Sequence, residues 1–417
     1  MQIHKRLDTA AVKRLLEAYL NHQISLPDAL RLLSLKRSRF FVLLLSFRQN
    51  PDHFTLDYRR HTPKVITPET EVIIEQYLAK DHELVANPDI AITTHNYSAV
   101  KDQLEQAGIK VSLPTLITRA KQYGYYSRKK RTKPAHEREV ITTSTGALLQ
   151  HDSSYHLWSP YAQNKWHLIT SLDDYTRLLV FAALLDRETS WAHIEAVKAV
   201  SLTYGVPLEW YTDSLSIFRY VYHGESRAYT TSTPTDGVNP QWKECVIRSG
   251  AQVIHALSAQ AKGKIERPYR WLQDRVVRTC ATEQVKTLAE ARSVLQAEVT
   301  RYNTRQVHST TKEIPLFRFK SALTHEQSVW HPFKLPEPYT HLDDIFCLLE
   351  TRITNPYRKI LLWGTEIQLP KVPKQEEVEI HLTPNREHQV IHVRIWWQNQ
   401  LVYRANHPKQ QFPKVQF

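Results

Sequence analysis

The sequence is poor in cysteine and has no long apolar run. Its three cysteines, Cys245, Cys280 and Cys347, stand far apart without a CxxC pair, which excludes a disulfide framework and a cysteine-based zinc site. The longest apolar run, Phe40-Phe41-Val42-Leu43-Leu44-Leu45, is far too short to cross a bilayer. The N-terminus lacks the basic, apolar and small-residue succession of a signal peptide, so the chain is expected to stay in the cytosol, away from membranes. The 21 histidines are scattered without HExxH spacing and read as surface or satisfied residues.

Positive charge, by contrast, is abundant. Lys and Arg outnumber Asp and Glu by 55 to 42, a formal net charge of +13. Such a balance favours a polyanionic partner, although charge alone does not separate nucleic acid from an anionic membrane surface. A chain of 417 residues is too long for one compact core. Four domains are expected: residues 1–60, 61–135, 136–325 and 326–417.

The first of these is helical. Asp8-Thr9 caps a helix whose Val12, Leu15, Leu16, Tyr19 and Leu20 share one face. Ser25-Leu26-Pro27-Asp28 opens a second helix through Leu33, and a third follows with Arg37, Arg39, Phe40, Leu43, Leu44 and Arg48. Two short helices tightly joined, the second starting on basic and hydroxyl residues, suggest helix-turn-helix with Arg37 and Arg39 on DNA. A plain three-helix bundle with its arginines in water fits as well. In the second unit, Thr67-Pro68-Glu69 starts a helix through Leu78, Tyr97 to Ala107 forms another, and Ser112-Leu113-Pro114-Thr115 caps a third, Leu116 to Tyr123. This is the better DNA-binding candidate. Its last helix bears Thr115, Thr118, Arg119 and Lys121 and runs into the basic stretch Arg128-Lys129-Lys130-Arg131, which can track phosphates beside it.

From about residue 142 the pattern turns to strands. Leu148 to Asp152, Lys165 to Asp173 and Arg177 to Leu184 have short connections and read as an antiparallel meander. A helix from Thr189 to Tyr204, a short strand delivering Asp213, a helix from Gln241 to Ser249, a strand from Ala251 to His255 and a long helix from Lys262 to Arg278 follow. The order predicts a mixed five-stranded sheet with helices on its faces. An Asp that ends a strand is commonly a turn or N-cap residue. Three acids in sequence at element ends, Asp152, Asp213 and Glu266, are harder to explain in that way.

This order resembles the ribonuclease-H-like core of the retroviral-integrase superfamily. His151-Asp152-Ser153-Ser154 looks like the first catalytic strand and Leu172-Asp173-Asp174-Tyr175-Thr176-Arg177 like its DDYTR turn. Tyr211-Thr212-Asp213 is similar to the second acidic site, Ala261-Lys262-Gly263-Lys264-Ile265-Glu266 to the approach to the catalytic Glu, and Tyr302-Asn303 with Arg305 and His308 to the motif that closes the core. The family implied is the DDE transposases of bacterial insertion sequences. Many of its members have Asn-Gly after the second Asp, where this chain has Ser214-Leu215, and no HHCC zinc module precedes the core.

The resemblance implies that Asp152, Asp213 and Glu266 are catalytic and hold two Mg²⁺, with Mn²⁺ as a substitute. Cutting a phosphodiester needs charge neutralisation at the attacking and leaving oxygens, which two hard cations about 4 Å apart provide. Mg²⁺ takes oxygen ligands and keeps several waters, so a few carboxylates suffice. Water would first free a 3′ hydroxyl at the element's end, and that hydroxyl would then attack target DNA. Lys262, Lys264 and Arg270 would hold the DNA backbone near the metals, and Asp173 and Asp174 would belong to a structural turn. The partners implied are double-stranded DNA, both element ends and target, and further copies of the chain, in a bacterial cytoplasm at the nucleoid. A catalytically inactive DNA-binding descendant and a structure-specific nuclease of the same fold are the alternatives.

After Phe319 a Pro-rich passage marks a boundary. Short strands between 342 and 404 then suggest a small SH3-like β-barrel. Trp396 and Trp397 are adjacent, so one is expected in the core and the other towards solvent or DNA.

Overall fold

The computed structural model describes residues 3, 7–56, 66–127, 142–212, 221–222, 233–234, 240–255 and 263–415, without the side chains of 221–222, 233–234 and 263–267. The chain divides into two compact units, Met1–Glu71 and Val72–Phe417.

The first unit is built on α1 (Thr9–Leu20), α2 (Leu26–Leu33) and α3 (Arg37–Gln49). Asp8 and Ser25 cap the first two through the side-chain bonds that their positions predict. Val12, Leu16, Leu33, Phe40, Leu44 and Phe47 form its core. The outward face of α3 is more apolar than its arginines suggest: Phe41, Val42 and Leu45 are exposed, as is Leu32 on α2.

The second helical group is α4 (Pro68–Ala86), α5 (Tyr97–Gln106) and α6 (Leu113–Gln122). Then come β1 (Leu148–His156), β2 (Trp166–Asp173), β3 (Leu179–Leu185), α7 (Ser190–Thr203) and β4 (Glu209–Thr212). A two-residue pair, β5 (Val221–Tyr222) with β6 (Thr233–Pro234), precedes α8 (Gln241–Ser249), β7 (Gln252–His255) and α9 (Gly263–Thr282). Two further helices, α10 (Leu288–Arg305) and α11 (Pro315–Thr324), follow.

The expected mixed five-stranded sheet is present, in the order β3-β2-β1-β4-β7. β1, β2 and β3 are an antiparallel meander, and β4 and β7 run parallel to β1. Helices cover both faces. Leu168, Leu172 and Leu184 pack with Tyr269, Leu272 and Val276 of α9 and Val294, Leu295 and Val299 of α10. On the other face Leu149 and Trp210 pack with Trp191, Ile194 and Val197 of α7 and Trp242 and Val246 of α8.

The last part of the chain departs from the expected closed barrel. β8 (Leu348–Ile353), β11 (Glu377–Asn385), β12 (Val390–Trp397) and β13 (Gln400–Pro408) form an open four-stranded sheet, order β13-β12-β11-β8. β9 (Lys359–Leu362) and β10 (Thr365–Gln368) make a separate hairpin over one face, through a core of Ile360, Ile367, Ile380, Val393 and Ile395. The physical reason lies on the opposite face, which is covered along its two central strands. Asp344 accepts from Arg394 Nε at 2.6 Å and Trp396 Nε1 at 2.8 Å, and Arg248 of α8 pairs with Glu379 at 2.8 Å. A sheet whose central strands are covered on both faces has no need to curl closed. Trp396 is accordingly buried, and Trp397, half-buried, donates to Glu376 at 3.1 Å.

Candidate active site

Strand alternation places Asp152. In β1, odd positions Leu149 and His151 face the α7–α8 layer, so Gln150 and Asp152 face the layer of α9 and α10. Asp152 sits directly across from Thr170 of β2 and is half-buried. Thr170 Oγ1 lies 2.9 Å from the Tyr269 phenol oxygen. Tyr269 is three residues after Glu266 on α9, so the helix segment that bears Glu266 crosses the sheet beside Asp152. The Glu266 side chain itself lies outside the described residues.

The second acid enters from β4. That strand pairs with β1 in parallel, Leu148 with Glu209 and Gln150 with Tyr211. It ends on Thr212, immediately before Asp213, which lies outside the described residues. Among the described residues no group of three or more His, Cys, Asp or Glu side chains could hold a metal. The donor type at this edge, carboxylate oxygen, is nevertheless the type that Mg²⁺ and Mn²⁺ take.

Asp173 and Asp174 hold the turn between β2 and β3. Asp173, fully buried, accepts from Gly146 N at 2.8 Å, Thr176 N at 2.9 Å and Thr176 Oγ1 at 2.5 Å. Asp174 accepts from Gln150 Nε2 at 2.6 Å, Arg177 NH1 at 2.8 Å and Thr142 Oγ1 at 2.8 Å. Asn303 closes the core from α10: its amide accepts from Leu179 N at 3.0 Å and donates to Leu179 O at 2.9 Å, as a neighbouring strand would.

The other candidates are dispersed. Arg37 and Arg39 are exposed on α3. On α6, Thr118 and Lys121 are exposed and Thr115 and Arg119 half-buried. Both threonines are used locally: the Thr115 hydroxyl is 2.7 Å from Ser112 Oγ at the cap, and that of Thr118 donates to Pro114 O at 2.9 Å. Lys121 lies over the Tyr126 ring at 4.9 Å and Arg119 donates to Gln122 at 3.1 Å. Arg270 is exposed on α9; Lys264 is on the same helix with its side chain outside the described residues, as Arg128, Lys129, Lys130, Arg131 and Lys262 are entirely.

A polar group behind Asp152, made by the buried His151 and His193 and the half-buried Glu188, is not evident from the sequence pattern. Burial alone would raise the Glu188 carboxyl, but hydrogen bonds from His193 and Ser153, with the His193 and His167 rings beside it, hold it below its ordinary value. The available signal was His193 itself, set among Trp191, Ala192 and Ile194 in a helix apolar on nearly every side.

The architecture is thus a meander, two parallel strands and an acid-bearing helix across them. No protein-family model matches the chain. It is similar to transposases, one of them of an insertion sequence. It is 26% identical over 205 residues, 49% of this chain and 43% of the relative, to the putative transposase y4bF of Sinorhizobium fredii. It is 25% identical over 174 residues, 42% of this chain and 35% of the relative, to the transposase for insertion sequence IS1202 of Streptococcus pneumoniae. The chain thus spans less than half the length of these curated relatives. Among solved structures, the HTLV-2 integrase catalytic core domain in complex with magnesium, in its trimeric form, is 15% identical at a TM-score of 0.32, covering 44% of this chain and 99% of that one. The simian T-cell lymphotropic virus intasome in complex with PP2A regulatory subunit B56 gamma is 12% identical at 0.34, covering 73% and 95%. No helix among the described residues is long and apolar enough to cross a membrane.

Proposed function

We propose that the protein is a DNA transposase that binds the ends of its own mobile element and performs divalent-cation-dependent 3′-end cleavage and strand transfer. The observation that carries this reading is the face of Asp152: it looks towards α9, and the Thr170–Tyr269 contact sets the Glu266 segment beside it. Similarity to transposases supports the same reading.

Asp152, Asp213 and Glu266 would hold Mg²⁺, or Mn²⁺ in its place, and the chemistry such cations supply is neutralisation of charge at the oxygens of a phosphodiester. The chain's own contribution is to aim the carboxylates. Their mutual repulsion without a cation makes the cluster an ion trap. The surplus of basic residues would hold the DNA backbone, among them Arg270 on α9, the α6 residues and the basic stretch 128–131. Both element ends must be held together for insertion, so the DNA-bound form is a homo-oligomer.

The test is a joining assay with the full chain, Mg²⁺, and duplexes taken from the DNA that flanks its gene. Joining by the wild type, lost in Asp152→Asn, Asp213→Asn and Glu266→Gln with duplex binding retained, is the expected result. Binding without joining in the wild type would indicate an inactive descendant, and cutting without joining a nuclease; either sinks the proposal.

A further inference from the structure

Behind Asp152, the opposite face of β1 carries a connected polar group where apolar packing would cost less desolvation. His151 is fully buried, stacked on Trp242 with ring centroids 5.4 Å apart and edge-on to Trp210 at 5.3 Å. Its Nδ1 lies 2.9 Å from Ser171 Oγ of β2, and its Nε2 lies 2.8 Å from His193 Nδ1 of α7. His193, also fully buried, sets Nε2 2.9 Å from Glu188 Oε1. The same oxygen accepts from Ser153 Oγ, and Glu188 Oε2 is 3.3 Å from His167 Nδ1.

With the Glu188 carboxylate accepting from His193 Nε2–H, one donor direction runs through the whole chain. His193 Nδ1 accepts from His151 Nε2–H, and His151 Nδ1 accepts from the Ser171 hydroxyl. Glu188 therefore anchors both neighbours of Asp152, Ser153 directly and His151 through His193. The backbone ladder with β2 holds the strand itself, and the side-chain hydrogen bonds at 151 and 153 add fixed directions on either side of 152. Because successive side chains leave a strand on opposite faces, clamping 151 and 153 on one face fixes where the 152 side chain points on the other. Glu188 is itself located by the start of α7, where Thr189 caps Ala192 N at 3.2 Å.

We infer that Glu188 is a positioning residue that, through His193 and Ser153, sets the direction of the Asp152 carboxylate for binding a divalent cation. The inference rests on Asp152 being a metal ligand, as proposed above. Supporting residues one step removed from a metal's ligands typically contribute about 10- to 100-fold in affinity.

The test is Mn²⁺ binding to the full chain without DNA, read from the loss of the free-Mn²⁺ electron paramagnetic resonance signal, with the thermal midpoint and joining activity measured alongside. Asp152→Asn should abolish binding. Glu188→Gln, which keeps the volume and removes the charge, should weaken Mn²⁺ binding by the folded protein about tenfold. Glu188→Asp should recover part of that, and Ser153→Ala should show a smaller loss at an unchanged midpoint. If Glu188→Gln fails to fold, Ser153→Ala decides, since it deletes a single hydroxyl. Wild-type affinity in the Glu188 and Ser153 variants, with binding lost in Asp152→Asn, overturns the positioning role and leaves the metal site standing. Wild-type affinity in Asp152→Asn removes the reading beneath it.

Discussion

Thr170 Oγ1 and the phenol oxygen of Tyr269 stand 2.9 Å apart, and through them α9 is tied to the strand next to Asp152. Tyr269→Phe removes the pair and leaves a buried threonine hydroxyl. The expected cost is about 1 kcal/mol of stability in urea unfolding. Joining activity should fall by more than the folded fraction does, because the Glu266 segment loses its tether. Full activity at reduced stability would show that this contact does not align the site.

Asp173 provides the contrast with Asp152. It is closed in by hydrogen-bond donors, so Asp173→Ala leaves the Gly146 and Thr176 groups unsatisfied in a buried turn. A loss of about 1–3 kcal/mol per stranded group is expected, with Mn²⁺ affinity of the remaining folded protein unchanged. A variant that folds normally but no longer binds Mn²⁺ would move the metal site to this turn.

The second helical group is held to α9 by buried charge. Arg278 donates to Asp81 and to the Thr94 carbonyl, and Asp81 also meets His95 Nδ1 at 2.8 Å. Arg275 meets Asp102 at 2.6 Å, and Ile90 and Ile92 pack on Val277 and Ala281. Arg278→Met strips one partner from a buried carboxylate, at a cost of about 3 kcal/mol. Hydrogen exchange should then accelerate across residues 76–106 more than in the central sheet. Uniform acceleration over the whole unit would mean that the helices do not loosen separately.

Acid should release the terminal sheet. Burial pushes the Asp344 carboxyl up, but hydrogen bonds from His381, Arg394 and Trp396 and the Arg394 charge more than offset it, leaving it well below the ordinary carboxylate range. Glu379 is likewise lowered: burial is outweighed by hydrogen bonds from His381 and Arg248 and by their charges. Folded values below the unfolded ones mean that both contribute stability above about pH 4, lost progressively as pH falls further. Tryptophan fluorescence followed through acid should report this loss, and Arg394→Met, which removes the cation facing Asp344, should make the pH dependence shallower. An unaltered slope would exclude Asp344 as its source.

Much of the architecture was legible because its signals are short-range. Ser25, Ser112 and Thr189 cap the helices that follow them, and Gln241–Ser249 forms the helix its pattern predicts. The meander and the sheet follow from three apolar runs with short links. The DDYTR turn is also visible, and its acids accept from the nearby Thr176 and Arg177 as a turn's acids should. Less legible were the length of β1, which continues past Asp152 to His156, and α10 and α11, which the motif Tyr302-Asn303 marked without outlining.

What the sequence by itself determined was the succession of elements and the order of three acids along it, since periodicity, caps and turn residues act over a few positions. The tertiary structure alone decided which face of β1 each side chain takes, which carboxylate stands behind Asp152, and that the terminal sheet stays open. Those outcomes depend on pairs such as His151 with His193 and Asp344 with Arg394. Their partners are distant along the chain, so no local pattern announces them, and hydrogen-bond direction and shared burial select them only when the layers close.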